Sequence, residues 1–249
     1  MVKLPKTGTE AAEEFFASWQ EIDRLFSFVI SLVGRSDKVV KKAAEVLIET
    51  AHSEEERLRL ERRLADNEEK GAVAELINNR QIFLEIMLVR HIENFLNYLS
   101  SLIYLIFVTR PETLKSSDKV EVSRVLEHES IESLVRSLAQ SKVESLSYSS
   151  FSKLSGFFQD RFGLEITDES TMAMLNEIIE IRNIFVHSRC IINQRYVARM
   201  NADPELIGKK RELYMADLDR FVPELVKIVS KIDRETRKKL KVKGKRFSL

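Results

Sequence analysis

Between Ile82 and Val108 the chain carries an apolar run in which Ile82, Ile86, Val89, Ile92, Leu96, Leu99, Ile103 and Ile106 recur at spacings of three and four. That period belongs to an α-helix. From Leu99 onward apolar residues surround the axis, so that end has to be buried on several sides. The run predicts one long helix from about Ala72 to Thr109, limited by Pro111, because the residue before a proline avoids helical angles. It also holds Glu85, Arg90, His91, Glu93, Asn94 and Asn97, which are costly at bilayer depth. The expectation is therefore the core helix of a bundle, with no membrane span.

The remaining patterns are helical too. Thr9 followed by Glu10 and Glu13 reads as a helix start, preceded by a loose lead-in over residues 1–9. Phe15, Trp19, Ile22, Phe26, Val29 and Val33 continue its stripe, and Gly34 reads as its stop. Trp19 reads as core or interface rather than as a stacking platform. Ser36-Asp37 reads as the cap of a second helix running into the 60s, where Ser53 to Leu64 is dense in both charge signs. Paired charges at i,i+3 and i,i+4 on a solvated face explain that stretch; a projecting arm or dimer element is the other reading. Gly71 reads as a break. Shorter helices are expected between Ser116 and Ser141, then after a polar connector at 147–150 from Phe151 to Phe162, with Gly163 as C-cap. Thr167-Asp168 reads as the start of the next helix. Further on, Asn201 to Pro204 reads as a turn, Gly208 as a break, and Leu213 to Leu240 as the last long helix, kinked or divided at Pro223. Seven Gly, four Pro and 32% charged residues suit long solvated helices. The fold class expected is all-α, a multi-helix bundle, with an N-terminal helical extension at 1–70 and a main domain at 71–249.

Charge and cysteine narrow the function classes. The net charge is +1, so no global field draws nucleic acid, and any such contact must be local. The single Cys190 excludes a disulfide scaffold and a cysteine zinc site. The start of the chain lacks the apolar core of a signal peptide, and the expected location is the cytoplasm. Glu127-His128-Glu129 cannot chelate a metal together, since adjacent helical residues point about 100° apart. No metal and no cofactor are expected. His52 reads as surface. His91 and Glu93 lie on the long helix and would either approach a site or satisfy one another. The tail from Arg234 to Arg246 carries eight basic residues against one acid; it would grip phosphates or fray into solvent.

The most compact set of reactive side chains lies in Glu177-Ile178-Ile179-Glu180-Ile181-Arg182-Asn183-Ile184-Phe185-Val186-His187. Arg182 offers a planar fork of donors for phosphate oxygens. Asn183 can orient a partner, and His187 can carry a proton near neutral pH. Glu180 and Glu177 are candidate supports, and Arg189 and Arg195 candidate RNA contacts. A purely structural reading stands beside this one, in which Arg182 pairs with Glu177, Glu180 or another carboxylate and His187 caps the helix end. On a regular helix, five residues put Arg182 and His187 about 140° apart.

The pattern of acid, arginine, asparagine, three apolar residues and histidine resembles the motif of the HEPN domain, an all-helical domain of prokaryotic defence and toxin systems. The resemblance runs over roughly residues 80–240. It includes Glu93-Asn94-Phe95-Leu96 on the long helix, a Pro111-Glu112 turn, and short helices leading into the motif. The family commonly carries a glycine after the histidine; here Arg189-Cys190 stands in that neighbourhood. The resemblance implies a homodimer whose two motif helices complete one cleft across a two-fold axis. It also implies metal-independent cleavage of RNA by Arg182, Asn183 and His187, with a neutralising or activating protein partner. A non-catalytic module that binds RNA, a nucleotide or a protein is the alternative.

Overall fold

The structure is a computed structural model that describes residues 3–115, 119–147 and 149–248, and the backbone alone of 67–69. Ser116, where the shorter helices are expected to begin, and Tyr148, in the expected connector, lie outside the described residues. The chain is all-α. Its helices are α1 (Glu10–Glu49), α2 (Glu54–Lys70), α3 (Ala72–Asn78), α4 (Arg80–Thr109), α5 (Val122–Leu126), α6 (Ile131–Ser147), α7 (Phe151–Phe162), α8 (Glu169–Ser188), α9 (Gln194–Met200) and α10 (Met215–Leu240). Single 3-10 turns follow Arg110 and Asp203.

Helix α4 is the axis of the bundle. Leu88, Phe95, Leu99, Leu102 and Ile103 are fully enclosed in one core with Phe15 and Phe16 of α1, Ile178 and Ile181 of α8, and Phe221 and Val229 of α10. The first part of α1 therefore shares the core of the rest of the chain, and its buried residues end at Phe26. The buried face of α4 begins at Leu84 and Leu88, whereas Ile82 and Ile86 are exposed. This corrects the stripe expected there. Both faces of that turn are apolar, and periodicity alone does not choose between them. By length and composition α4 is the one helix among the described residues that would cross a membrane, but half of its most apolar window is buried inside the bundle.

Two breaks differ from expectation. Helix α1 does not stop at Gly34; it spans 40 residues in all, Glu10–Glu49, about 60 Å. A glycine in a helix interior costs only about 1 kcal/mol, which weakens a helix without ending it. Asp37 is a cap, but of another helix: its carboxylate accepts from the backbone N–H of Ala72 at 2.9 Å and of Val73 at 2.8 Å, at the start of α3. The turn after α1 falls at Thr50, and Ser53 caps α2. The long helix expected from Ala72 is divided at Asn79, whose side chain bonds back to Glu75. Helix α2 carries the i,i+4 pairs read from its charges, Arg57–Glu61 and Lys70–Asp66. Helix α10 runs unbroken through Pro223.

Residues 3–9 and 241–248 are fastened together and form neither a loose lead-in nor a frayed tail. Thr7–Gly8 pairs antiparallel with Lys245–Arg246. Glu13 receives the Lys245 ammonium at 2.5 Å and the Ser248 N–H at 2.7 Å, and the Lys245 hydrogen bond holds the Glu13 carboxyl below its usual range. Thr9 caps α1 and donates its N–H and hydroxyl to buried Asp233, whose pKa burial raises. Gly8 fits because it has no side chain: a Cβ there would meet Phe247 at 2.5 Å and Asp233 at 2.8 Å. Gly8→Ala is expected to unlatch the C-terminal strand at a cost of about 1 kcal/mol. Faster trypsin cleavage within Lys241–Arg246 would register it.

Candidate functional site

Asp168 starts α8 as expected, accepting from the Thr171 N–H at 2.9 Å. The helix buries Leu175, Ile178, Ile181 and Ile184 against the core and turns Arg182 and Asn183 toward a groove. Its walls come from α4 (Glu93, Leu96, Asn97), the end of α6 (Leu146, Ser147), the start of α7 (Phe151, Leu154), and α9 (Arg195, Arg199). The cavity measures about 290 Å³. A smaller one of about 120 Å³ adjoins it, lined by His187, Ser188, Ile184 and Asn193. Glu180, Asn183 and Arg195 line both, so the two are one continuous depression.

Arg182 is held from the neighbouring helix. Its Nε donates to Glu93 Oε1 at 2.7 Å, a second guanidinium nitrogen reaches the same oxygen, and Nη1 donates to Asn183 Oδ1 at 3.2 Å. The 140° separation around α8 is thus partly overcome by a long side chain that leans onto Asn183. Buried Glu180 pairs with Arg199 of α9. Three guanidinium groups and two carboxylates therefore line the main groove. Two of the cations are compensated, while Arg195 has no partner among the described residues. His187 is exposed and likewise unpartnered.

The other expected residues lie elsewhere. Glu177 pairs with Arg220 of α10 at 3.0 Å and lines neither cavity. Arg189 is exposed and also lines neither. His91 and Glu93 do not satisfy one another: Glu93 turns to Arg182, and His91 is buried on the far side beside Trp19, its Nδ1 without a partner. Arg199 was not singled out from sequence. The signal was its spacing of four from Arg195, which places both on one face of α9. Among the described residues no group of three or more His, Cys, Asp and Glu is arranged to hold a metal ion. Cys190 is buried, and burial pushes its thiol up to about 12, so it is no nucleophile.

After His187 the backbone takes an unusual path. Arg189 and Cys190 have φ of 50° and 67°, the left-handed region that favours glycine. Pairing holds them there, because the Arg211 N–H reaches the Cys190 carbonyl at 2.8 Å and the Ile192 N–H reaches the Lys209 carbonyl at 3.0 Å. Arg189→Gly is expected to raise stability by about 1 kcal/mol by removing that strain, while Arg189→Ala brings no gain. Urea midpoints of the two variants test it.

Comparison with protein-family models, with curated proteins and with solved structures returns no match.

Proposed function

We propose that this chain is a metal-independent endoribonuclease of the HEPN kind, acting in the cytoplasm as a homodimer in phage defence or as a toxin. The observation that carries the reading is the groove. It gathers Arg182, Asn183, Arg195 and Arg199, and ends at an unpartnered imidazole. Arg182 and Arg195 would bind the non-bridging oxygens of a phosphodiester and stabilise the charge that builds on them. His187 would accept the proton of the 2′-hydroxyl as its oxygen attacks phosphorus. The 5′-oxygen then leaves and takes a proton from a second imidazole, the partner subunit's His187. The products are a 2′,3′-cyclic phosphate and a 5′-hydroxyl. Exposed Val186 and Ile191 flank His187 and supply apolar surface for the seam between two copies.

The alternative, a binding module without turnover, is favoured by one observation: the Arg182 donors are already occupied by Glu93 and Asn183. Incubating total RNA with the protein in EDTA separates the two. Fragments ending in cyclic phosphate support the nuclease. Retention of intact RNA by the protein supports the module.

A further inference from the structure

We propose that helix α1 pairs antiparallel with the α1 of a second copy of this chain, along a seam centred near Gly34. Leu25, Phe28, Leu32, Val39 and Val46 follow one another at spacings of three, four, seven and seven. Each is more than half exposed. The other side of the helix is the one that packs: Phe26 meets Phe83 of α4 edge-on at 4.7 Å, and Asp37 caps α3. The seam lies about 130° around the axis from that packed side.

A stripe that repeats every seven residues stays in line between two helices that wind around each other. A stripe turned to a lipid surface follows the period of 3.6 and is wider. Monomers rarely leave so long an apolar surface open. Covering the five residues on both copies removes about 1,000 Å², the least a specific interface needs, before flanking side chains add theirs. The seam shares no residue with the groove around Arg182 and does not depend on the ribonuclease reading.

Charge selects the occupant and its direction. Between the apolar positions of the seam stand Glu21, Arg35 and Lys42, all exposed. In a parallel pair each would face its own copy, like charge against like. Consider instead an antiparallel pair with its two-fold axis between Val33 and Gly34. Arg35 then faces Leu32 of the partner subunit, and Lys42 faces Leu25 of the partner subunit. Their stems cover the apolar surface while the charged heads reach the rim. Phe28 faces Val39 of the partner subunit, a large side chain against a small one. Arg24 comes beside Glu45 of the partner subunit, and Lys42 beside Glu21 of the partner subunit; the axis makes each ion pair twice. The seam thus complements itself in shape and in charge, which singles out a second copy as its occupant.

Cysteine cross-linking of the full chain reads both the contact and its direction. The double variant Phe28→Cys, Val39→Cys is expected to give a disulfide-linked pair on a non-reducing gel under mild oxidation, while each single variant stays unlinked. The two positions are about 16 Å apart along one helix, too far to bridge within a chain. Cys190 is buried and does not compete. Leu32→Glu puts a carboxylate into the seam from both copies. It is expected to weaken pairing about a hundredfold and to halve the mass seen by sedimentation equilibrium at micromolar concentration. Val122→Glu, at an exposed apolar residue of α5, should leave the mass unchanged. These side chains are exposed, so helicity by circular dichroism should hold in every variant. Failure of the double variant to cross-link overturns the proposal, as does equal cross-linking by the single variants or equal mass of wild type and Leu32→Glu. Binding of wild-type monomer to anionic vesicles, lost in Leu32→Glu, would give the seam to a lipid surface and overturn it too.

Discussion

His187→Ala is expected to lower RNA cleavage by about a thousandfold, and Arg182→Ala by about a hundredfold or more, with both variants still dimeric. The magnitudes are those of losing a general acid–base and a donor to the transition-state phosphate. His187 is exposed and unpartnered, so its removal leaves no buried group unsatisfied and stability should not move. Arg182 differs, since its loss strands Glu93, a carboxylate 32% exposed. Arg182→Lys is the useful control. It keeps the charge and Glu93's partner but loses the fork, so cleavage should fall while the melting temperature holds. On the nuclease reading, Glu93 would act through Arg182, whose Nε it accepts from, as a positioning residue. Glu93→Gln should weaken cleavage less than Arg182→Ala and shift its salt dependence, because Arg182 is then freer to leave its place. Cleavage at wild-type rate by both His187→Ala and Arg182→Ala would end the nuclease reading. Size-exclusion chromatography of the same samples reports the dimer.

The second large effect is on stability against pH. His91 is buried, 3% exposed, and desolvation lowers its pKa from 6.5 to about 4. The folded state therefore resists protonation that the unfolded chain accepts. The contribution is fully present above about pH 6.5 and is lost as pH falls toward 4. Between pH 7 and pH 5 the loss is about 2 kcal/mol. Asp233 works in the opposite sense, because burial raises its pKa and favours its protonated form. His91→Leu, which keeps the packing against Trp19, should flatten the slope between pH 7 and 5. Chemical denaturation at the two pH values measures it. An unchanged slope in His91→Leu would show that His91 is not the group responsible.

Some features were legible in sequence because their causes are local. Asp168 and Thr9 bond N–H groups three residues away, and Gly163 takes φ of 62° at the end of α7. Such signals need only a few neighbouring residues. Gly34 misled because a single glycine weakens a helix by only about 1 kcal/mol and does not by itself end it. Asp37 was read as a cap from its type, while its target lay 35 residues away. At Arg189 and Cys190 the chain turns left-handed without a glycine. Strand-like pairing with residues 208–211 holds the turn against the strain those side chains add.

The candidate site divides in the same way. Arg182, Asn183 and His187 stand together in the sequence because one helix carries them. Their surroundings come from three other parts of the chain: Glu93 is 89 residues away from Arg182, and Arg199 is 19 residues from Glu180.

By itself the sequence determined the helical class, most helix ends and the grouping of Arg182, Asn183 and His187 on α8, since periodicity, capping and spacing act over a few residues. Which face of α4 is buried, where residues 3–9 and 241–248 dock and what holds Arg182 were decided only by tertiary structure. Those outcomes depend on burial and on charge pairs between segments far apart along the chain, and no short window of sequence contains both partners.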